Sequence, residues 1–189
     1  LKKGFKRSVF FVFLLLLPAA PAAAGYNSIL KKWTRKDQVY VMSNMEARLI
    51  WSATYLSDEF RQAKRERLAE LFEWDEAEKA AAEKEDLQEA AKYDVFFLGV
   101  YAGSSEIPEI GKDVGSWRIV LETGEGDTRR ITKEVSFQRK AVTHTERELY
   151  PYLDKWSEAY EVKFPKTIQS RPFKLRFTGI PARSELIWK

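Results

Sequence analysis

From Tyr26 to Lys92 the chain contains neither glycine nor proline, and beyond Gly25 every glycine and proline falls after Tyr93. No other feature limits the fold as tightly. Glycine and proline punctuate backbone structure, so a long stretch without them can run as helix, while short apolar runs set between them read as strands and turns. The stretch before Tyr93 is also rich in Ala, Glu, Lys, Arg and Leu, residues that lose little on entering a helix. The stretch after it carries runs of Val, Ile, Phe and Thr. The expected division is a helical region over 25–92 and an antiparallel β-sandwich over 93–189. The fold class is α+β, an N-terminal helical hairpin followed by an immunoglobulin-like sandwich, with a small β-barrel as the alternative.

Within the first region Leu49, Ala53, Leu56, Phe60 and Ala63 recur at steps of four and three. Met42 and Met45 extend the stripe backwards, and Leu68, Leu71 and Phe72 extend it forwards. This spacing predicts an amphipathic helix, or two in series, from Gln38 to Glu73. Asp75 followed by Glu78 forms a capping-box pattern that opens a second helix. That helix is mostly alanine and charge, with a thin apolar face suited to close approach by a partner helix. A solvated helical spacer is the other reading.

The second region reads as six strands. VFFLGVY is continuously apolar and short enough for a buried strand. Alternation then places Trp117, Ile119 and Leu121 on one face, then Ile131, Val135 and Phe137, then Tyr160, Val162 and Phe164, then Phe173, Leu175 and Phe177, and ELIW closes the set. One buried face and one wet face per strand is the pattern of antiparallel sheets. TGEGDT, between the second and third runs, has the residues of a hairpin connection.

The first 24 residues form a segment apart. Lys2, Lys3, Lys6 and Arg7 precede an unbroken apolar run from Val9 to Leu17, and Ala22, Ala23 and Ala24 follow. This is the order of a secretory signal peptide, with cleavage expected between Ala24 and Gly25. The stretch Val9 to Ala24 has only sixteen residues, two of them proline, short of the ~20 that a spanning helix needs. No stable membrane span is expected once it is removed. The four bases of this segment account for the whole chain's excess of 32 Lys+Arg over 28 Asp+Glu, and 28 of each sign remain without it. No net positive field is left to gather phosphates along a polymer, so nucleic acid is not an expected partner.

The chain contains no cysteine. That removes disulfides, thiol catalysis, Cys-ligated zinc, iron–sulfur clusters and c-type haem attachment. The one histidine, His144, sits near Glu146 and Glu148, but a lone imidazole with two glutamates is a poor zinc set, and no nucleophile-elbow or phosphate-loop pattern accompanies it. We expect no metal, no cofactor and no catalytic constellation. A hydrolase using His144 is kept only as a minor alternative.

What stands out is YPYLDKW. Pro151 stiffens a connection that carries Tyr150, Tyr152 and Trp156, and aromatic rings on a rigid loop make good interface anchors. Packing over one end of the sandwich is the plainer reading of the same rings. The long segment from Ala102 to Ser116, with apolar points Ile107 and Ile110, is a second candidate contact region. The expectation is an exported, non-catalytic protein of the bacterial envelope, periplasmic in location, that works as a protein-interaction or assembly module. The alternative is a periplasmic carrier of a small apolar ligand or lipid, held between helices and sandwich.

Overall fold

The computed structural model describes residues 25–40, 47–101, 117–179 and 183–189. In chain order the elements are α1 (Tyr26–Trp33), β1 (Thr34–Tyr40), β2 (Ala47–Tyr55), α2 (Asp58–Phe72), α3 (Glu76–Lys92), β3 (Tyr93–Tyr101), β4 (Trp117–Thr123), β5 (Arg130–Lys133), β6 (Ser136–Lys140), α4 (His144–Leu149), β7 (Glu158–Pro165), β8 (Phe173–Gly179) and β9 (Arg183–Trp188). The protein is therefore α+β. Its strands form two antiparallel sheets, a five-stranded one in the order β1-β2-β3-β7-β6 and a four-stranded one in the order β5-β4-β8-β9. Both sheets are open, so the barrel alternative does not apply among the described residues. No helix among them is long and apolar enough to cross a membrane.

The alternation read from the sequence directs the packing. Trp117, Ile119 and Leu121 of β4 and Phe173, Leu175 and Phe177 of β8 face Phe96, Leu98, Tyr160, Val162 and Phe164 of the larger sheet, and together they form one core. Two tryptophans close it. Trp188 stacks on Phe173 with ring centroids 5.1 Å apart, and its indole Nε1–H donates to the carbonyl of Trp33 at 2.8 Å. Trp51 donates to Ser184 Oγ at 2.7 Å, and Ser184 in turn donates to Asp37. Each indole thus buries its apolar body and satisfies its one donor, which burial without a partner would make costly.

The opposite face of the larger sheet is covered as well. Val95 and Phe97 of β3 point away from the first core into a second one, built with Leu30 of α1, Phe60 of α2, and Leu149, Tyr150 and Leu153 beyond β6. β3 is buried on both sides, which is why its sequence is apolar without alternation. The result is three layers: helices, larger sheet, smaller sheet.

Two expectations are corrected here. The predicted helix from Gln38 to Glu73 is not formed: β1 and β2 pair as antiparallel neighbours, Gln38 opposite Ile50, and only Asp58–Phe72 is helical. Region 25–92 accordingly holds two strands as well as helices. A step of four residues keeps a side chain on one face of a strand as well as of a helix, so Leu49 and Ala53 fit either period. Trp51 and Tyr55 complete the period of two, and all four are buried against the smaller sheet. Ser57, whose side chain accepts from the Phe60 N–H, then caps α2 with Asp58 and Glu59 in its first turn. Met42 and Met45 lie outside the described residues.

The second correction concerns RRITKEVSF, read as one strand. It divides at Glu134 and Val135, with β5 pairing to β4 in the smaller sheet and β6 to β7 in the larger. Ile131 and Val135 are exposed and only Phe137 packs on the core, because the chain leaves one sheet for the other at this point.

The capping box at α3 forms as the sequence indicates, Asp75 accepting from the Glu78 N–H at 2.8 Å and Glu78 from the Asp75 N–H at 2.8 Å. No residue of α3 is fully buried. Charge holds it instead. Arg61 of α2, buried, donates through Nη1 to Asp86 at 3.0 Å and Glu89 at 2.8 Å, while Arg65 reaches Asp86 at 2.7 Å. Lys163 of β7 donates to Glu89 from the sheet below. Burial alone would raise the Glu89 carboxyl, but the hydrogen bonds from Lys163 and Arg61 outweigh it and hold the group below the usual carboxylate range.

Candidate functional site

The connection from α4 to β7 contains the aromatic residues singled out from the sequence. α4 is short and ends where the Tyr150 N–H donates to the Glu146 carbonyl at 2.8 Å. From there the chain crosses the outer face of the larger sheet, and its side chains turn inward. Tyr150 stacks on Phe97 with centroids 3.9 Å apart and 11° between planes, and it touches the rings of Phe60 and Tyr152. Tyr26 donates to the Leu149 carbonyl at 2.6 Å, tying α1 to the same segment. The Tyr152 hydroxyl donates to the Phe97 carbonyl at 3.2 Å and shares a hydrogen bond of 3.0 Å with Thr54 Oγ1. Burial pushes both phenols above their ordinary range. These two rings are spent on packing, so Tyr150 is a core residue and Tyr152 a fastening.

Gly99 makes the fastening feasible, and sequence reasoning passed over it. It lies in the middle of β3, opposite Ser52 and Ala159. A Cβ placed there would stand 2.7 Å from Leu153 Cδ2 and 2.9 Å from Tyr152 Cδ2. A glycine inside an otherwise apolar strand marks a close approach by another part of the chain, and that signal was present in VFFLGVY.

Beyond Leu153 the loop rises off the sheet in a turn organised by Asp154. Its Oδ1 accepts from the Trp156 N–H at 2.8 Å and from Ser157 Oγ at 2.9 Å, an Asx-type arrangement that reinforces the backbone bond from the Ser157 N–H to the Asp154 carbonyl at 3.4 Å. The turn lifts Trp156 into solvent at 65% exposure, the largest fraction of any big apolar side chain among the described residues. Lys155 Nζ sits 4.8 Å from the centre of its ring, a cation–π contact that limits the indole's freedom. Pro151 is exposed at the start of the turn.

A cleft of about 390 Å³ opens between this turn and the neighbouring stretches of β2 (50–52) and β3 (99–101). It is lined by Ile50, Trp51, Gly99, Tyr101, Tyr152 and Trp156, with Ser52, Asp154 and Ser157 as its polar groups. Mostly apolar walls with a few convergent polar atoms are the usual makeup of a recognition site. A larger hollow of about 590 Å³ between α2 and α3 has Trp74 and Ala69 in its lining but mixes them with Arg65, Lys79, Glu66, Glu70 and Glu83, so polar and apolar surface are nearly balanced there.

The remaining sequence candidates are placed as follows. His144 is the first residue of α4 and is exposed. Glu146 is taken up by the Thr143 cap and Glu148 by an ion pair with Arg67, and among the described residues the three do not converge. Ile107 and Ile110 lie outside the described residues. The space between helices and sheet, where an apolar ligand was considered, is filled by Phe60, Val95, Phe97 and Tyr150.

Compared with known proteins, the chain matches no family model, no curated protein and no solved structure.

Proposed function

We propose that this is an exported, non-catalytic module of the bacterial envelope that docks a protein partner through Trp156 and the cleft beside it. The observation that carries the reading is the contrast within one short loop. Tyr150, Tyr152 and Leu153 pin its backbone to the sheet, while Trp156 is held out in the open next to an apolar hollow. A large aromatic presented on a backbone that is already ordered loses little freedom on binding, and anchors of this kind dominate interface energetics. Export rests on the order of basic, apolar and small residues in 1–24, with removal between Ala24 and Gly25. On this reading an immunoglobulin-like sandwich bearing a helical hairpin serves as the rigid support for the loop. Among the described residues, the carrier alternative would use the same cleft.

The test compares the wild-type chain with Trp156→Ala, each recovered under gentle conditions from the host's envelope fraction and examined by native mass spectrometry. The proposal expects a mass beginning at Gly25 with a second protein attached, and loss of at least tenfold of that species in the variant at unchanged far-UV circular dichroism. Equal recovery of the complex with Trp156→Ala refutes the docking assignment. A chain that retains residues 1–24 refutes the removal of that segment, and absence of the chain from the envelope fraction refutes export.

A further inference from the structure

On the other side of the same turn lies a second groove, of about 460 Å³, whose lining is of opposite character. Arg139 and Lys140 reach it from the end of β6, Arg147 from α4, and Lys155 from the turn, with Glu158 as the one carboxylate. Its floor is Ala141, Val142 and Ala159, small side chains that leave the space open. Four cations against one anion is a local imbalance in a chain that has equal numbers of each sign after residue 24.

Internal pairing does not remove it. Arg139 is engaged by Glu158 at 2.7 Å, and Lys140 by Glu161 at 3.2 Å. Arg147 and Lys155 have no carboxylate within ion-pair distance among the described residues, although both face this groove. Lys155 is held by its ring contact with Trp156. Two cations left uncompensated in one concavity, one a guanidinium with a planar fork of donors and the other an ammonium, match a small oxyanion that carries two charges.

We infer that this groove is a binding site for a doubly charged phosphate-type oxyanion, either free or as the phosphomonoester of a lipid headgroup. A carboxylate carries one charge and leaves one of the two cations unmatched, whereas a phosphomonoester carries about −1.5 to −2 at neutral pH and accepts from both. The groove lies across the turn from the Trp156 cleft, with Ser157 lining both, and its chemistry does not depend on the docking reading.

The test is a nuclear magnetic resonance titration of the isotope-labelled chain at pH 7.5 and constant ionic strength. The probes are inorganic phosphate, acetate, and vesicles of phosphatidylcholine with or without phosphatidic acid. The expected result is saturable shifts of the amides of 140–142, 147 and 155–158 with phosphate, or selective attachment to the phosphatidic acid vesicles. The first outcome assigns the free ion and the second the lipid phosphomonoester, and either supports the site. Arg147→Gln and Lys155→Gln should each weaken binding by about tenfold, the usual worth of one charge-assisted hydrogen bond, while Arg118→Gln on the smaller sheet leaves it unchanged. The inference is overturned if neither probe binds, if acetate binds as tightly as phosphate, or if the Arg147→Gln/Lys155→Gln double variant, folded by circular dichroism, binds like the wild type.

Discussion

Gly99→Ala is the sharpest probe of how the loop is held. The backbone at Gly99 is not in the left-handed region, so alanine meets no conformational obstacle there. Taken alone, the exchange would stabilise the chain by about 0.5–1 kcal/mol, because alanine has less freedom to lose on folding. The obstacle is contact. The new methyl would lie 2.7 Å from Leu153 Cδ2 and 2.9–3.0 Å from two edge carbons of the Tyr152 ring. The leucine methyl could rotate away, but the tyrosine ring is fixed at its far end by the Phe97 carbonyl and Thr54. Overpacking of this kind costs about 1–3 kcal/mol, so the net loss should be about 1 kcal/mol. The assay is urea unfolding followed by tryptophan fluorescence, with the denaturant slope checked for constancy. In a Tyr152→Ala background the ring is gone and Leu153 has room to move, so the same exchange should become neutral or slightly stabilising, a coupling of roughly 1–2 kcal/mol. Equal effects of Gly99→Ala in the two backgrounds, or a single variant as stable as the wild type, would refute the reasoning.

Two further outcomes follow from the same geometry. Tyr150→Phe should be nearly neutral and Tyr150→Ala should cost about 3–5 kcal/mol in urea, the signature of a core ring; a reversed order would show that the hydroxyl, not the ring, carries the contribution. The Glu89 carboxyl is held below its unfolded value, so its contribution to stability is complete above an unfolded carboxyl pKa of about 4.3 and is lost as pH falls through the folded value. Glu89→Gln should therefore cost on the order of 1 kcal/mol at pH 7 and flatten the acid side of the stability profile, and a profile with an unchanged acid slope would contradict it.

How much of this was legible in the sequence depended on whether one period explained a segment. Trp117, Ile119 and Leu121, or Phe173, Leu175 and Phe177, admit only alternation, and they face the core as read. The stripe through Leu49 and Ala53 satisfied two periods at once, and the helical composition around it tipped the reading the wrong way. β1 gave no signal, because TRKDQVY is a polar edge strand with no fully buried residue. At Val135 the alternation was present, but the chain changed sheets within it, and periodicity carries no information about which sheet a strand joins. In the loop, aromatic content drew attention to the right segment and could not divide it: Tyr150 and Trp156 look alike until Phe97 is seen beneath the first and only the Lys155 ammonium over the second. The basic groove was invisible for another reason, since its four cations come from three separate stretches that only the fold brings together.

Trp188 has a consequence for the order of events during folding. Its indole fills the inner core beside Phe96 and Phe173 and bonds to the Trp33 carbonyl, while Arg35 donates to the Ile187 carbonyl at 3.0 Å. The strand that carries it comes after every other described element, so the earliest and latest described elements are joined across more than 150 residues of sequence. Such distant contacts are slow to form. A polypeptide that emerges amino end first can build α2, α3 and the β1–β2 pair early, yet the core between the sheets stays incomplete until β9 brings Leu186 and Trp188 to it. Until β9 pairs with β8, Phe96 and Phe173 lack the Trp188 ring that packs against them and the Trp33 carbonyl lacks its donor, so this link across the chain is made only when the strand is in place.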